Sequence, residues 1–268
     1  MAKLYIVGTP IGNMADITLR ALDTLKSVDV IACEDTRHSL PLLNKYDIKA
    51  TLVSYHKFNE AECSKRIVDM ILDGKNVALI TDAGMPSISD PGAEVISLCR
   101  EQGVETQLVP GPTAFASAIS LSGIKARGFT FLGFLPEKKQ DKVAILSKCA
   151  QTELPIVIYV APHDLSKTAS FLYDVLGERK VYVCRELTKV FESVTLTTLQ
   201  DFHCEERGEI VMIIDGAPQK NPLEDLSVEQ HIRHYLENGM DKKEAVKCVA
   251  QERGLPKNEV YQIGINIE

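Results

Sequence analysis

Short apolar runs alternate with amphipathic segments along the first half of the chain. The runs are continuously hydrophobic, which is typical of parallel strands covered on both faces. They are Leu4–Gly8, Val30–Glu34, Thr51–Tyr55, Val77–Asp82 and Thr106–Pro110. Between them, residues 18–25 repeat leucine at helical spacing, and Ile67, Val68, Ile71 and Leu72 form one apolar helix face. The pattern predicts a doubly wound α/β lobe.

After residue 128 the strand-like runs come closer together, with fewer helical segments between them. This spacing predicts a mixed or antiparallel sheet in a second α/β lobe. The predicted strands are Phe129–Phe134, Pro155–Ala161, Lys180–Glu186, Ser193–Leu199 and Glu209–Asp215.

A third region follows the Pro-containing segment Ala217–Pro222, which we interpret as a linker. Val228–Glu237 and Ala245–Glu252 have helical periodicity, and Asp241 followed by Glu244 is a typical N-terminal signal. We therefore expect an N-terminal lobe over 1–112, a second lobe over 113–218 and a helical domain over 222–268.

Composition narrows the class of protein. Of the 268 residues, 45% are hydrophobic and 25% are charged, which excludes a largely disordered or fibrous chain. The net charge of −7 argues against nucleic-acid binding by overall charge, although a local basic face remains possible. The seven cysteines form no C-x-x-C pair, so we expect no metal site and no disulfide framework. The short N-terminal apolar run is no membrane span, and we expect a cytoplasmic protein.

Three loops rich in glycine and proline follow the first, fourth and fifth predicted strands. The first, Gly8–Asn13, matches neither the dinucleotide nor the phosphate-binding fingerprint. Because ligands collect at the carboxyl ends of parallel strands, these loops predict a site for a polar, zwitterionic cofactor. Its candidate residues are Gly8, Pro10, Asp82, Ala83, Gly84, Pro110, Gly111 and Thr113.

Nearly the whole chain resembles the tetrapyrrole methylases, and within them the enzymes that modify small-subunit ribosomal RNA. The motifs that carry the resemblance are Thr9–Asn13, Asp16–Leu22, Glu34–Arg37, Ser54–His56, Asp82–Pro86, Ile88–Gly92, Pro110–Pro112, Gly133–Pro136 and Arg185–Lys189. The resemblance implies two α/β lobes with S-adenosylmethionine in the cleft between them and a homodimer. It also implies 2′-O-methylation of a cytidine ribose in the decoding region. The helical tail resembles the family's small C-terminal domain.

The second lobe departs from the family pattern. Val160 and Asp164 stand where the family usually has a glutamate and an arginine, and lysines replace the arginines that usually follow Pro136. Lysine attracts phosphate but lacks bidentate geometry. The basic stretch with Lys138, Lys139 and Lys142 is our candidate RNA contact, for the small-subunit rRNA or the assembled subunit.

A ribose hydroxyl is a weak nucleophile, so a general base or a cation that stabilises the alkoxide is expected nearby. The candidate catalytic residues are Glu34 and Arg37 after the second strand, and Glu186 and Lys189 in the second lobe. His56 also lies at a strand end, and the sequence does not choose the base. A salt bridge between Arg37 and Asp35 or Glu34 is the structural alternative.

Two other functions compete with RNA ribose methylation. A tetrapyrrole-precursor C-methyltransferase of the same fold usually has G-x-G-P-G in the first loop, where this chain has Gly8–Asn13. A ligand-binding scaffold without enzymatic activity is the third possibility, which calorimetry with S-adenosylmethionine distinguishes.

Overall fold

The computed structural model describes residues 1–218, 223, 226–265 and 267. The chain forms two compact units, Met1–Ala217 and Pro218–Glu268. No helix in these described ranges is long and apolar enough to cross a membrane.

Five parallel strands form the first sheet, in the order β3-β2-β4-β1-β5. They are β1 Leu4–Val7, β2 Val30–Cys33, β3 Thr51–Ser54, β4 Val77–Leu79 and β5 Thr106–Val109. The helices between them are α1 Leu19–Ser27, α2 Thr36–Lys45, α3 Glu60–Leu72 and α4 Ala93–Glu101. Every residue of β2 and β4 is buried, as expected for strands covered on both faces. The predicted parallel lobe is confirmed.

The helices cover the two faces of this sheet in pairs. On one face, Ile67 of α3 and Val95 of α4 pack against Leu4 and Leu79. On the other face, α1 and α2 pack against the alternate strand residues. Both layers therefore leave the carboxyl ends of the strands free to carry loops.

The second sheet is mixed, as predicted, in the order β6-β7-β10-β8-β9. Its strands are β6 Thr130–Phe134, β7 Ile156–Val160, β8 Lys180–Arg185, β9 Ser193–Thr198 and β10 Ile210–Ile214. Only the β6–β7 pair is parallel. The helices are α5 Ala114–Ser122, α6 Lys139–Cys149 and α7 Leu165–Leu176.

Helices α6 and α7 pack on one face of the second sheet, through Leu146 and Leu172. Helix α5 packs on the other face through Ala118, beside Val211 and Ile213. Ile11, from the loop after β1, belongs to the same cluster. A residue of the first loop therefore completes the core of the second lobe.

The second unit contains α8 Val228–Glu237, α9 Lys242–Glu252 and α10 Lys257–Ile265. A capping box at Ser227 begins α8, and the Asp241 carboxylate accepts bonds from two amides at the start of α9. The tail is thus helical, as predicted. Residues 219–222 of the predicted linker lie outside the described residues, and the domain boundaries at 112/113 and 218/222 stay predictions.

Candidate active site

The loops after β1, β4 and β5 meet at one edge of the first sheet. Thr9 and Gly84 exchange two backbone hydrogen bonds, of 2.9 and 3.2 Å. A Cβ on Gly8 would lie 2.7 Å from Gly111, so the first and third loops approach more closely than any side chain allows. The predicted convergence of the three loops is what the structure shows.

A cavity of about 310 Å³ opens between these loops and the second lobe, a size typical of small-molecule sites. Most of its wall is apolar, and its acidic side chains are Asp90 and Glu209. The wall consists of Ile11, Ala83, Gly84, Met85, Ile88, Ser89, Asp90, Thr113, Ala114, Phe134, Tyr159, Val160, Ala161, Pro162, Leu187, Gly208, Glu209, Ile210 and Val211.

Burial is the largest cause of a raised pKa at the Asp90 carboxyl, and with the negative charges of Glu34 and Asp82 it raises this pKa from 3.8 to about 6. The loop that carries Asp90 is held from outside the cavity, because the Gly92 amide donates to Glu60 Oε1 at 2.9 Å. A cationic ligand beside Asp90 therefore stabilises its ionised form, because the positive charge offsets the repulsion from Glu34 and Asp82.

A second cavity of about 190 Å³ adjoins the first and shares Ile11, Ala83 and Glu209 with it. Its wall combines the first loop, the start of α2, the end of β4 and two residues of the second lobe. The full lining is Thr9, Pro10, Ile11, Gly12, Met14, His38, Ser39, Leu42, Ile80, Thr81, Asp82, Ala83, Lys189 and Glu209. The two cavities therefore lie side by side, with the three shared residues between them.

The carboxyl end of β2 carries Glu34 and Arg37, neither of which lines either cavity. The Arg37 guanidinium, 87% exposed, pairs with the Asp35 carboxylate at 2.6 Å. Bonds from Arg37 lower the pKa of Asp35 to about 2. Burial raises the pKa of Glu34 above its usual value, and the charge of Asp82 adds to this effect.

Glu186 and Lys189 lie at the turn after β8. Glu186 Oε1 accepts from the Glu209 amide at 2.9 Å and from Lys189 Nζ at 3.0 Å, and these two bonds, the first more than the second, lower the pKa of Glu186. Lys189 also contacts Glu209 at 3.3 Å. Gly208 has a φ of +75°, which favours glycine, and a Cβ there would clash with the Glu186 side chain. Lys189 projects into the second cavity, and Glu186 holds it.

The predicted cofactor residues divide between the cavities. Ala83, Gly84 and Thr113 line the larger one, whereas Pro10 and Asp82 line the smaller one with Ala83. Gly111 lines an outer groove, and Gly8 and Pro110 line none of these spaces. Gly8, Pro110 and Gly111 therefore lie in the loops without lining either of the two cavities.

The basic stretch lies at the start of α6. Lys138 is its N-cap and is exposed like Lys139, and Lys142 Nζ lies 5.9 Å from the centre of the Phe171 ring. Phe134, four residues before Lys138, is in the wall of the larger cavity, where its ring lies 5.4 Å from that of Tyr159. The lysines therefore follow Phe134, a residue of the cavity wall, within a few positions in the sequence.

Sequence reasoning missed His38, Asp90 and Tyr159 as site residues. His38 Nδ1 lies 2.9 Å from Asp82 Oδ2, a contact across 44 residues that no local pattern signals. Asp90 belonged to a motif that carried the resemblance, and that motif was the signal available for it. Within the described ranges, no three histidine, cysteine or carboxylate side chains gather as metal ligands.

Comparison with known proteins matches residues 3–203 to the family model of tetrapyrrole (corrin/porphyrin) methylases. A protein of Halalkalibacterium halodurans is 40% identical over 97% of this chain and 93% of its own length. A Bacillus subtilis protein has the same identity and coverage. Both bear the name ribosomal RNA small subunit methyltransferase I.

Among solved structures, the methyltransferase CobJ superposes with a TM-score of 0.65, covering 81% of this chain and 95% of its own. At 16% sequence identity, this likeness concerns the fold. The two-lobed architecture predicted from sequence is confirmed as that of the tetrapyrrole methylases.

Proposed function

The chain belongs to the tetrapyrrole methylase family and is a methyltransferase of ribosomal RNA, and from this premise we propose its specific reaction. It transfers a methyl group from S-adenosylmethionine to the 2′-oxygen of a cytidine in the decoding region of small-subunit rRNA. The observation that carries the proposal is the pair of adjoining cavities with a common wall at Ile11, Ala83 and Glu209. Two such spaces suit a methyl donor and an acceptor that must meet.

The larger cavity fits S-adenosylmethionine in volume and chemistry. Its apolar wall, with Met85, Phe134 and Tyr159, suits an adenine ring and the aliphatic carbons of the methionine side chain, and Asp90 offers a negative charge for a sulfonium or ammonium group. The first turn of α5, at Thr113 and Ala114, is a helix N-terminus that suits a carboxylate. When bound, the cofactor supplies an electrophilic methyl group.

The smaller cavity receives the target nucleoside. Its lining includes a buried polar group: Thr81 is 2% exposed, and its hydroxyl has no hydrogen-bond partner in the described part of the chain. Lys189, held by Glu186 and Glu209, presents a cation that stabilises negative charge developing on a ribose oxygen. Glu34 and Arg37, at the carboxyl end of β2, stay candidates for contacts with the RNA substrate.

The lysines at the start of α6 hold the RNA backbone. Lys138 and Lys139 are exposed and follow the strand that ends in the cavity wall, so a nucleotide in the cleft has its neighbouring phosphates within the same region. The helical unit lies outside the matched residues 3–203 and carries further lysines, including Lys242, Lys243 and Lys247. We assign it to docking on the ribosomal substrate.

A second copy of the chain covers an apolar surface beside α5. Leu121, Val190 and Phe191 are exposed, the last at 73%, around a groove lined by residues of α5 and of the turn after β8. Exposed apolar patches of this kind mark interfaces. Phe191→Lys should shift a dimer to monomer in sedimentation, whereas Phe58→Lys, at a phenylalanine that is still more exposed, should not. An unchanged sedimentation coefficient for the Phe191 variant excludes this surface.

We infer a cytoplasmic enzyme, because its substrate is ribosomal, and the reaction can be tested directly. Purified protein is incubated with methyl-labelled S-adenosylmethionine and, separately, small subunits, naked rRNA and a tetrapyrrole precursor, with the RNA taken from cells that lack the gene. We expect label on one cytidine 2′-oxygen. Label on a tetrapyrrole carbon instead contradicts the proposal and supports the C-methyltransferase alternative.

A further inference from the structure

His38 and Asp82 form a hydrogen-bonded pair in the wall of the smaller cavity. His38 Nδ1 lies 2.9 Å from Asp82 Oδ2, and Asp82 Oδ1 accepts from the Asp35 amide at 3.2 Å. Both oxygens of the carboxylate are thus engaged, and its orientation toward the ring is fixed. Because a carboxylate only accepts, the proton of a neutral His38 resides on Nδ1 and Nε2 carries the lone pair.

The His38 side chain is 74% exposed, at the edge of a cavity that adjoins the proposed cofactor site. No hydrogen bond within the described residues occupies Nε2. A base in this position can reach a substrate that enters from outside, while its partner Asp82 is less exposed, at 32%. A carboxylate that holds an imidazole in one tautomer is the arrangement that general bases use.

The other candidates are poorer bases. Glu186 accepts two hydrogen bonds that lower its pKa, and its salt bridge keeps Lys189 charged and without a lone pair. Arg37 is always charged. Glu34 has a raised pKa but lines neither cavity.

On the basis of the proposed function, we propose that His38, oriented by Asp82, is the general base that deprotonates the attacking ribose hydroxyl. The ribose oxygen forms a bond to the methyl carbon, and the carbon–sulfur bond breaks with its electron pair passing to sulfur. The hydroxyl proton moves to His38 Nε2, and Asp82 stabilises the resulting imidazolium. Charge and atoms balance without any further reactant.

The charges around His38 set the pH at which it can act. The hydrogen bond and charge of Asp82 raise the pKa of His38 above 6.5, Asp35 adds to this effect, and Arg37 opposes it. Lys189 and Glu209 face the same cavity from the second lobe. The rate should therefore fall as the pH decreases through a value above 6.5, because the base is then protonated.

The test compares His38→Asn with the wild type, because an asparagine amide replaces the Nδ1–H donor toward Asp82 but has no basic nitrogen. We expect kcat to fall by about 10²-fold or more. The dissociation constant of S-adenosylmethionine by calorimetry and the KM for the small subunit should stay within about threefold. His203→Asn, at an exposed histidine outside both cavities, is the matched control and should keep its rate.

Two further measurements separate a base from a structural residue. Added imidazole should restore part of the rate of His38→Ala, and NMR titration of labelled histidine should show the His38 pKa decreasing in Asp82→Asn. A kcat of His38→Asn within threefold of wild type, or a loss confined to KM, overturns the assignment. If the wild type leaves the 2′-oxygen unmethylated, the proposed function falls and the base with it; if the wild type is active and His38→Asn equally so, only the base is wrong.

Discussion

Replacing Asp90 by asparagine removes the negative charge that we assign to the cofactor cavity. Because the fold raises the pKa of this carboxyl from 3.8 to about 6, ionising Asp90 costs at most about 3 kcal/mol more in the ligand-free protein than in the unfolded chain. The residue is partly exposed, so about 1–3 kcal/mol is the range expected for stability. A side chain that never ionises avoids this cost.

Because folding raises the pKa of Asp90, the stability gained by Asp90→Asn depends on pH. Well below pH 3.8 Asp90 is protonated in both the folded and unfolded protein, and the variant gains nothing. The gain grows between pH 4 and 6, as the unfolded chain loses its proton before the folded protein does, and is complete above pH 6. Asp90→Asn should therefore raise the Tm at pH 8 by several degrees and leave it nearly unchanged at about pH 3.

Binding of S-adenosylmethionine should change in the opposite direction. A cationic ligand favours the ionised carboxylate, so wild-type affinity should weaken roughly tenfold from pH 8 to pH 5, since a group with a pKa of about 6 is then mostly protonated. In Asp90→Asn that contribution disappears, and affinity at pH 8 falls by about 10- to 100-fold, as for the loss of a charged partner.

Calorimetry at pH 5, 6, 7 and 8 measures this dependence, with S-adenosylhomocysteine, which lacks the sulfonium charge, as a second ligand. Asp174→Asn, at an exposed aspartate of α7, controls for a general change of charge. His38→Asn identifies any contribution from the histidine that pairs with Asp82. The reasoning is refuted if Asp90→Asn keeps both the wild-type affinity at pH 8 and the wild-type pH dependence.

Three further predictions concern the substrate side. Glu186→Gln and Arg37→Ala should each lower the methylation rate by about 10²-fold while leaving cofactor affinity nearly intact, as single-turnover assays and calorimetry measure. Reversing the charge of Lys138 and Lys139 should weaken rRNA binding and reduce its salt slope by about 2, because each lost phosphate contact releases one counterion fewer. Truncation after Pro218 should leave a folded protein that binds S-adenosylmethionine normally but binds rRNA more weakly and with a shallower salt dependence.

Each of these predictions has a distinct contrary outcome. A Glu186 or Arg37 variant that loses only thermal stability indicates a structural salt bridge, such as the pair that Arg37 forms with Asp35. Charge reversal at Lys26 and Lys75, exposed lysines of the first lobe, should leave the salt slope unchanged, and an equal effect there contradicts a local contact. A truncated chain that no longer binds the cofactor disproves an independent docking role for the tail.

The strands were predictable because burial on both faces leaves a continuous apolar run in the sequence. Val30–Cys33 and Ile210–Ile214 are buried throughout, and each was identified to within a residue or two. The meeting of the loops was predictable for a related reason, since parallel strands that end at one edge bring their loops together, as Thr9 and Gly84 show.

The chemistry within the site was less predictable. The role of His38 depends on Asp82, and the pKa of Asp90 depends on burial and on charges from other loops, so neither property is encoded in neighbouring residues. The resemblance to a family supplied the cofactor and the substrate class, but spacing alone could not decide which carboxylates face a cavity.

The position of β10 has a consequence for synthesis of the chain on the ribosome. This strand is the last of the second sheet in sequence yet lies at its centre, between β7 and β8, which do not pair with each other. Until residue 214 has left the exit tunnel, the second lobe consists of two unjoined pairs of strands, and Ile11 has no Val211 to pack against. The first lobe can fold during translation, but the cofactor cavity, whose wall includes Ile210 and Val211, is completed only near the end of synthesis.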